Sequence, residues 1–286
     1  MKDLAGWPNR EWSRFVRAGG LEWHVQVAGE GPVLLMLHGT GAATHSWRGL
    51  LPLLTAHFTV VAPDLPGHGY TDAPATSRLS LPGMARALQT LLWTLDLTPV
   101  LAAGHSAGAP ILVRMLLDGQ VAPRGLIGLN GALLPLGGMA GQLFSPLAKL
   151  LTGLPGLPDL FAWRARDRGV VERLLAATGS RVDAEGVRLY QRVVTRRSHA
   201  AAALGMMAHW DLPSLTGNFA RIEIPVLLIA GENDRTVPPT QSEEVAAQVQ
   251  KGRYVGLPGL GHLAHEEDPA AIANLIDAFA AELGIL

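Results

Sequence analysis

The pentapeptide Gly104-His105-Ser106-Ala107-Gly108 decides how this chain is read. Ahead of it, Pro99-Val100-Leu101-Ala102-Ala103 has the length and composition of a buried strand. Behind it, Ala109 to Leu117 reads as a helix. Strand, G-x-S-x-G, helix is the context that a nucleophile elbow requires. The serine occupies a tight, strained turn, and small residues on either side let strand and helix approach closely. Such a turn exposes the Ser106 hydroxyl at the C-terminal edge of a sheet. It also sets that hydroxyl at a helix N-terminus, where the helix dipole favours developing negative charge.

Working outward, short apolar runs alternate with amphipathic patterns. Leu21 to Ala28, Val33 to Leu37, Phe58 to Ala62, Gly125 to Leu129, Pro225 to Ala230 and Arg253 to Leu257 read as further strands. Thr44 to Ala56, Leu79 to Leu97, Thr240 to Gln250 and Pro269 to Leu283 read as helices. This alternation predicts an α/β fold with a mostly parallel sheet and helices on both faces. The pair of strands ahead of the first helix suggests an antiparallel edge. Residues 133–219 break the rhythm: they hold helical stretches and no convincing strand. They are expected to form a mainly helical cap, inserted between two sheet strands and carried above Ser106. Residues 1–132 and 220–286 then form the core domain.

The chain's 286 residues are 48% hydrophobic, enough for a large core. Its 23 basic and 24 acidic residues lack the basic excess of a nucleic-acid binder. The absence of cysteine excludes disulfides, thiolate catalysis and thiolate-ligated zinc. Met1 to Pro8 has no apolar signal-peptide core, and no uninterrupted apolar stretch reaches membrane-spanning length. The expectation is a soluble, cytoplasmic protein. Neutrality hides polarity, however. Arg164 to Arg197 carries nine arginines against four acids, whereas the region after Thr240 is acidic. Two readings of those arginines stay open: a solvated helix face, or a surface for an anionic substrate, an acidic partner or an anionic membrane.

A serine hydroxyl needs a base to take its proton and an acid to orient that base. Elbow topology predicts the chain order Ser, Asp or Glu, His. Asp234 lies in Gly231-Glu232-Asn233-Asp234, at the end of a strand, and His262 comes after the last strand in Gly259-Leu260-Gly261-His262. Glu232 and His265 are their competitors. Strand Val33 to Leu37 runs into His38-Gly39-Thr40-Gly41, so the N–H groups of Thr40 and Ala107 are assigned as oxyanion donors. His38 reads as a histidine tying loops together and His105 as packing. Asp64-Leu65-Pro66-Gly67-His68-Gly69 reads as a structural loop near the site. Candidate walls of an apolar pocket are Leu133, Leu134, Phe144, Leu147, Met206, Met207 and Trp210, each equally able to pack cap onto core.

With these segments in place, the chain resembles the α/β-hydrolase superfamily almost from end to end, which implies an α/β-hydrolase fold with an eight-stranded sheet and the helical cap inserted after its sixth strand. In that family an elbow aspartate marks haloalkane dehalogenases and epoxide hydrolases, so Ser106 points instead to esterase-like chemistry. A narrower resemblance is carried by His38 to Arg48, Leu81-Pro82-Gly83-Met84-Ala85, Leu129 to Pro135 and Phe144 to Ala148. These look like the magnesium-chelatase accessory proteins encoded with bacteriochlorophyll-synthesis genes. That resemblance implies a link to tetrapyrrole synthesis, with a tetrapyrrole or a small apolar ester as substrate and chelatase-complex or peripheral membrane contact through the arginines. No G-x-x-x-x-G-K-[ST] loop is present, so no ATPase motor is implied. No metal or cofactor is expected. The rival expectation is a non-catalytic accessory or porphyrin-binding protein on a hydrolase scaffold.

Overall fold

The computed structural model describes residues 2–135 and 156–286. Its eight strands are β1 (Ser13–Ala18), β2 (Leu21–Ala28), β3 (Val33–Leu37), β4 (Thr59–Pro63), β5 (Leu101–His105), β6 (Gly125–Leu129), β7 (Val226–Gly231) and β8 (Gly252–Leu257). They form one sheet in the order β1-β2-β4-β3-β5-β6-β7-β8. β1 with β2 and β2 with β4 are antiparallel; every later pairing is parallel.

Alternation along the buried strands splits the core in two. Leu35, Leu37, Ala102, Leu126, Val226 and Leu228 face α2 (Leu81–Leu95) and α3 (Gly108–Leu117). Their neighbours Leu34, Met36, Leu101, Ala103, Ile127 and Leu227 face α1 (Leu50–Leu54) and the C-terminal α11 (Pro269–Glu282). Period-two side-chain direction thus dictates helices on both faces.

The structure corrects the sequence reading in two places. The antiparallel edge is the β1–β2 hairpin, closed by Gly19-Gly20 with φ of +58° and +80°, while β3 lies inside the sheet. The expected helix Thr44 to Ala56 is instead a 3-10 turn, Thr44–Trp47, followed by α1. Pro52 has no N–H and fits only a helix's first turn, so a helix that holds it starts near Leu50.

Between β6 and β7 the described residues carry α4 (Leu157–Arg164), α5 (Arg168–Ala177), α6 (Ala184–Val194), α7 (Arg197–Ala208) and α8 (Pro213–Thr216). α9 (Pro239–Gln248) joins β7 to β8, and α10 (Ala264–Glu267) precedes α11. Among the described residues no helix is long and apolar enough to cross a membrane.

Candidate active site

Parallel strands bring their C-terminal ends to one edge, and each candidate lies just beyond one of them. Ser106 succeeds β5 with φ +49°, a left-handed backbone that costs a serine strain. The turn is held by Ser106 N–H donating to the Leu129 carbonyl (3.0 Å) and by the Ser106 carbonyl accepting from Ala132 (3.1 Å). Glycine is required beside it. A Cβ at Gly104 would strike the Ala109 and Gly108 backbone, and one at Gly108 would strike the Leu37 carbonyl.

Asp234, beyond β7, has a side chain sealed from solvent. Its Oδ1 accepts the N–H groups of Thr236 (2.7 Å) and Val237 (2.9 Å). Its Oδ2 accepts Asn130 Nδ2 (2.8 Å) and His262 Nδ1 (2.7 Å). A carboxylate that accepts at Nδ1 fixes the proton there and leaves Nε2 of His262 with its lone pair free. His262 is tied to the elbow through its backbone: His105 Nε2 donates to the His262 carbonyl at 2.9 Å. Burial, with His265 and His262 alongside, holds His105 well below the usual imidazole range, so that ring stays neutral.

The two competitors lie elsewhere. Glu232 is exposed. His265 is buried with Nε2 against Ser46 Oγ (2.7 Å), and burial, His262 and Arg48 pull it down to about 3.

The N–H groups of Thr40 and Ala107 donate to no protein acceptor among the described residues. His38 holds the first of these loops: its Nδ1 donates to the Gly39 carbonyl (2.8 Å), and its Nε2 accepts from Leu65 N–H (2.9 Å). Asp64 anchors the neighbouring loop, accepting from His24 Nδ1 (2.7 Å), Thr44 N–H (2.7 Å) and Tyr70 N–H (2.8 Å). Burial pushes the Asp64 carboxyl up, but His24, His38 and the Tyr70 amide outweigh it and keep the group ionised. His38 and Asp64 thus hold the two loops in place.

Of the candidate pocket walls, Met206 is fully buried and its Sδ accepts from Thr40 Oγ at 3.4 Å. Leu133 is buried in the core facing α2 and α3, with Leu134 and Trp210 packed against it. Met207 is exposed. Phe144 and Leu147 lie outside the described residues.

Three contributors escaped the sequence reading. Asn130, at the end of β6 with φ +47°, bonds both Asp234 and the Gly261 carbonyl (3.3 Å). The turn after α5 holds both loops: the Thr178 carbonyl accepts from Arg235 (3.0 Å) and His262 (3.4 Å), and Ser180 Oγ accepts from Leu263 (2.8 Å). His199 of α7 accepts from Gly69 N–H (3.0 Å) and donates to the Gly41 carbonyl (3.1 Å). Burial brings it down to about 4. Only Asn130 left a signal, as a residue after a strand in the row that holds Ser106 and Asp234.

The elbow, the strand order and the loops at one sheet edge are those of an α/β hydrolase. The chain belongs to the alpha/beta hydrolase family, whose model matches residues 34–275. It is 39% identical over 274 residues to the magnesium-chelatase 30 kDa subunit of Rhodobacter capsulatus, covering 95% of each chain. It is 28% identical over 272 residues to the pimeloyl-[acyl-carrier protein] methyl ester esterase of Xanthomonas campestris, covering 91% of this chain and 99% of that one. An alpha/beta hydrolase fold protein from Burkholderia ambifaria superposes with a TM-score of 0.76 at 24% identity, covering 92% of this chain and 98% of that one. That likeness is one of fold.

Proposed function

We propose that the protein is a serine hydrolase of carboxylic esters. Ser106 Oγ attacks the carbonyl carbon while His262 Nε2 takes its proton, and Asp234 stabilises the imidazolium. The N–H groups of Thr40 and Ala107 receive the oxyanion. Collapse of the tetrahedral intermediate expels the alcohol, which takes the proton from His262. Water, deprotonated by the same imidazole, then releases the acid from Ser106. The observation that carries this reading is the Asp234–His262 bond of 2.7 Å, formed in a loop tied to the residue before Ser106. Kinship with a methyl ester esterase supports the bond type. Labelling by a fluorophosphonate and turnover of p-nitrophenyl esters test it: both are expected in the native protein and lost in Ser106→Ala. A native protein that is neither labelled nor active would end the proposal.

The 39% identity to a protein named as a chelatase subunit favours a second reading, a tetrapyrrole-handling accessory protein that does not need turnover. Porphyrin binding, followed by absorbance and unchanged in Ser106→Ala, would support it. Absence of porphyrin binding would remove it.

A further inference from the structure

Helix α4 turns Leu160, Phe161 and Trp163 to solvent, 55%, 38% and 59% exposed. Single exposed apolar side chains are ordinary, but three in four positions of one short helix form a patch. The chain then runs into Arg164, Ala165 and Arg166. Gln191 of α6 donates to the carbonyls of Ala165 (3.2 Å) and Arg166 (2.9 Å), which fixes this linker. Arg166 is thereby seated beside Arg188 and Arg192, and with Gln191 and Thr195 they line an open depression of about 540 Å³.

Several neighbouring arginines are already occupied. Arg168 is paired with Glu172 and Arg197 with Asp159, while Arg196 donates to the Gly69 carbonyl. In the depression Arg188 meets Glu185, whereas Arg192 donates to the carbonyls of Ala5 and Asp3 and lies over the rings of Trp7 and Tyr70. Neither Arg166 nor Arg192 has a carboxylate partner among the described residues. Arg166, a cationic fork without a carboxylate partner, is therefore bound to the end of the helix that exposes tryptophan and phenylalanine, its N–H donating to the Trp163 carbonyl at 3.1 Å. Interfacial proteins use this pairing, with guanidinium at the phosphate level and aromatic rings in the acyl boundary.

We propose that this face docks on an anionic lipid bilayer, with phosphate headgroups in the depression and the α4 side chains inserted beside them. The test is flotation of the full chain with vesicles of equal parts phosphatidylcholine and phosphatidylglycerol, against vesicles of phosphatidylcholine alone, at low and high salt. Flotation with the anionic vesicles only, released by salt, is expected. Arg164→Gln with Arg166→Gln should weaken it by about fivefold per charge removed. Replacing Leu160, Phe161 and Trp163 together by serine should weaken it by about tenfold or more. Both variants alter exposed side chains only, and they leave in place Arg188 and Arg192, which hold the N-terminal segment. No flotation of the native chain, equal flotation with neutral vesicles, or native-like flotation of both variants would overturn the proposal.

Discussion

Asp234→Asn tests the proposed proton relay at the point where the structure allows least compromise. The carboxylate accepts four hydrogen bonds and donates none. A carboxamide has one acceptor end and one donor end. Its NH2 cannot face Thr236 and Val237, because two backbone N–H groups cannot become acceptors. The oxygen must take that side, so the NH2 faces His262 Nδ1 and Asn130 Nδ2. Asn130 can answer by rotating its amide, since its Oδ1 has no partner, although Gly261 then loses a donor. His262 can answer only by moving its proton from Nδ1 to Nε2. That is the wrong tautomer: an Nε2 that carries a proton cannot accept the one from Ser106. The expected loss in kcat is about ten-thousandfold, the size found where a triad aspartate is replaced by asparagine. The stability cost is about 1–3 kcal/mol, that of one poorly satisfied buried group, so the variant folds. Steady-state turnover of p-nitrophenyl acetate and the rate of fluorophosphonate labelling measure the effect, with thermal unfolding as the check on folding. A folded Asp234→Asn protein within tenfold of native on both assays would refute the reasoning.

Asn130→Gly keeps the left-handed backbone but removes a donor from Asp234. The carboxylate then holds the imidazolium more strongly, and the acid limb of the pH–rate profile should move to higher pH; an unmoved limb would separate Asn130 from the relay. Ser180→Ala leaves the buried Leu263 N–H without its acceptor. It should cost about 1–3 kcal/mol in urea unfolding and lower kcat more than it changes KM. Acid should drain stability well above the carboxylate range, because His199 and His265 titrate in the fold at about 4 and about 3 rather than near 6.5. Below pH 6.5 the unfolded chain takes up protons that these buried rings refuse. Each ring therefore costs about 1.4 kcal/mol per pH unit until its folded value is reached, and nothing is lost above 6.5. Urea midpoints that stay level between pH 7 and pH 5 would contradict this.

The sequence made the fold legible wherever burial is complete on both faces of a strand. β3, β6 and β7 are apolar throughout, β5 is apolar up to His105, and all four stand out as short runs. β1 does not, because an edge strand with Arg14 and Arg17 in a half-exposed pattern carries no such run. Asp234 and His262 are legible from their places after β7 and β8, since a parallel sheet sends those loops to the edge where Ser106 stands. Asn130 has the right place but no legible role, because its partners lie 104 and 131 residues away and the choice between turn and relay is made by contact alone. The arginines taught the opposite lesson. Counting them showed polarity, but Arg192 and Arg196 serve backbone carbonyls that no charge pattern reveals.

The described residues between β6 and β7 support the loops at this sheet edge. α5 and α6 meet the core at Thr178 to Asp183. There Thr178 and Ser180 hold the loops of Asp234 and His262, and Glu267 accepts from both Gly261 N–H (2.8 Å) and Arg181 N–H (3.0 Å). Arg48 then bridges Asp183 and Glu266, and Tyr190 donates to Glu266 at 2.7 Å. On the opposite side of the site, α7 grips the Gly39-Thr40-Gly41 loop through His199 and Met206. A core stripped of residues 133–219 would lack acceptors for Arg235, His262 and Leu263 N–H, the groups that set acid and base at 2.7 Å. Under the proposed mechanism, motion that admits a substrate therefore has to spare the Thr178–Ser180 turn, since lifting it would loosen the loops of Asp234 and His262.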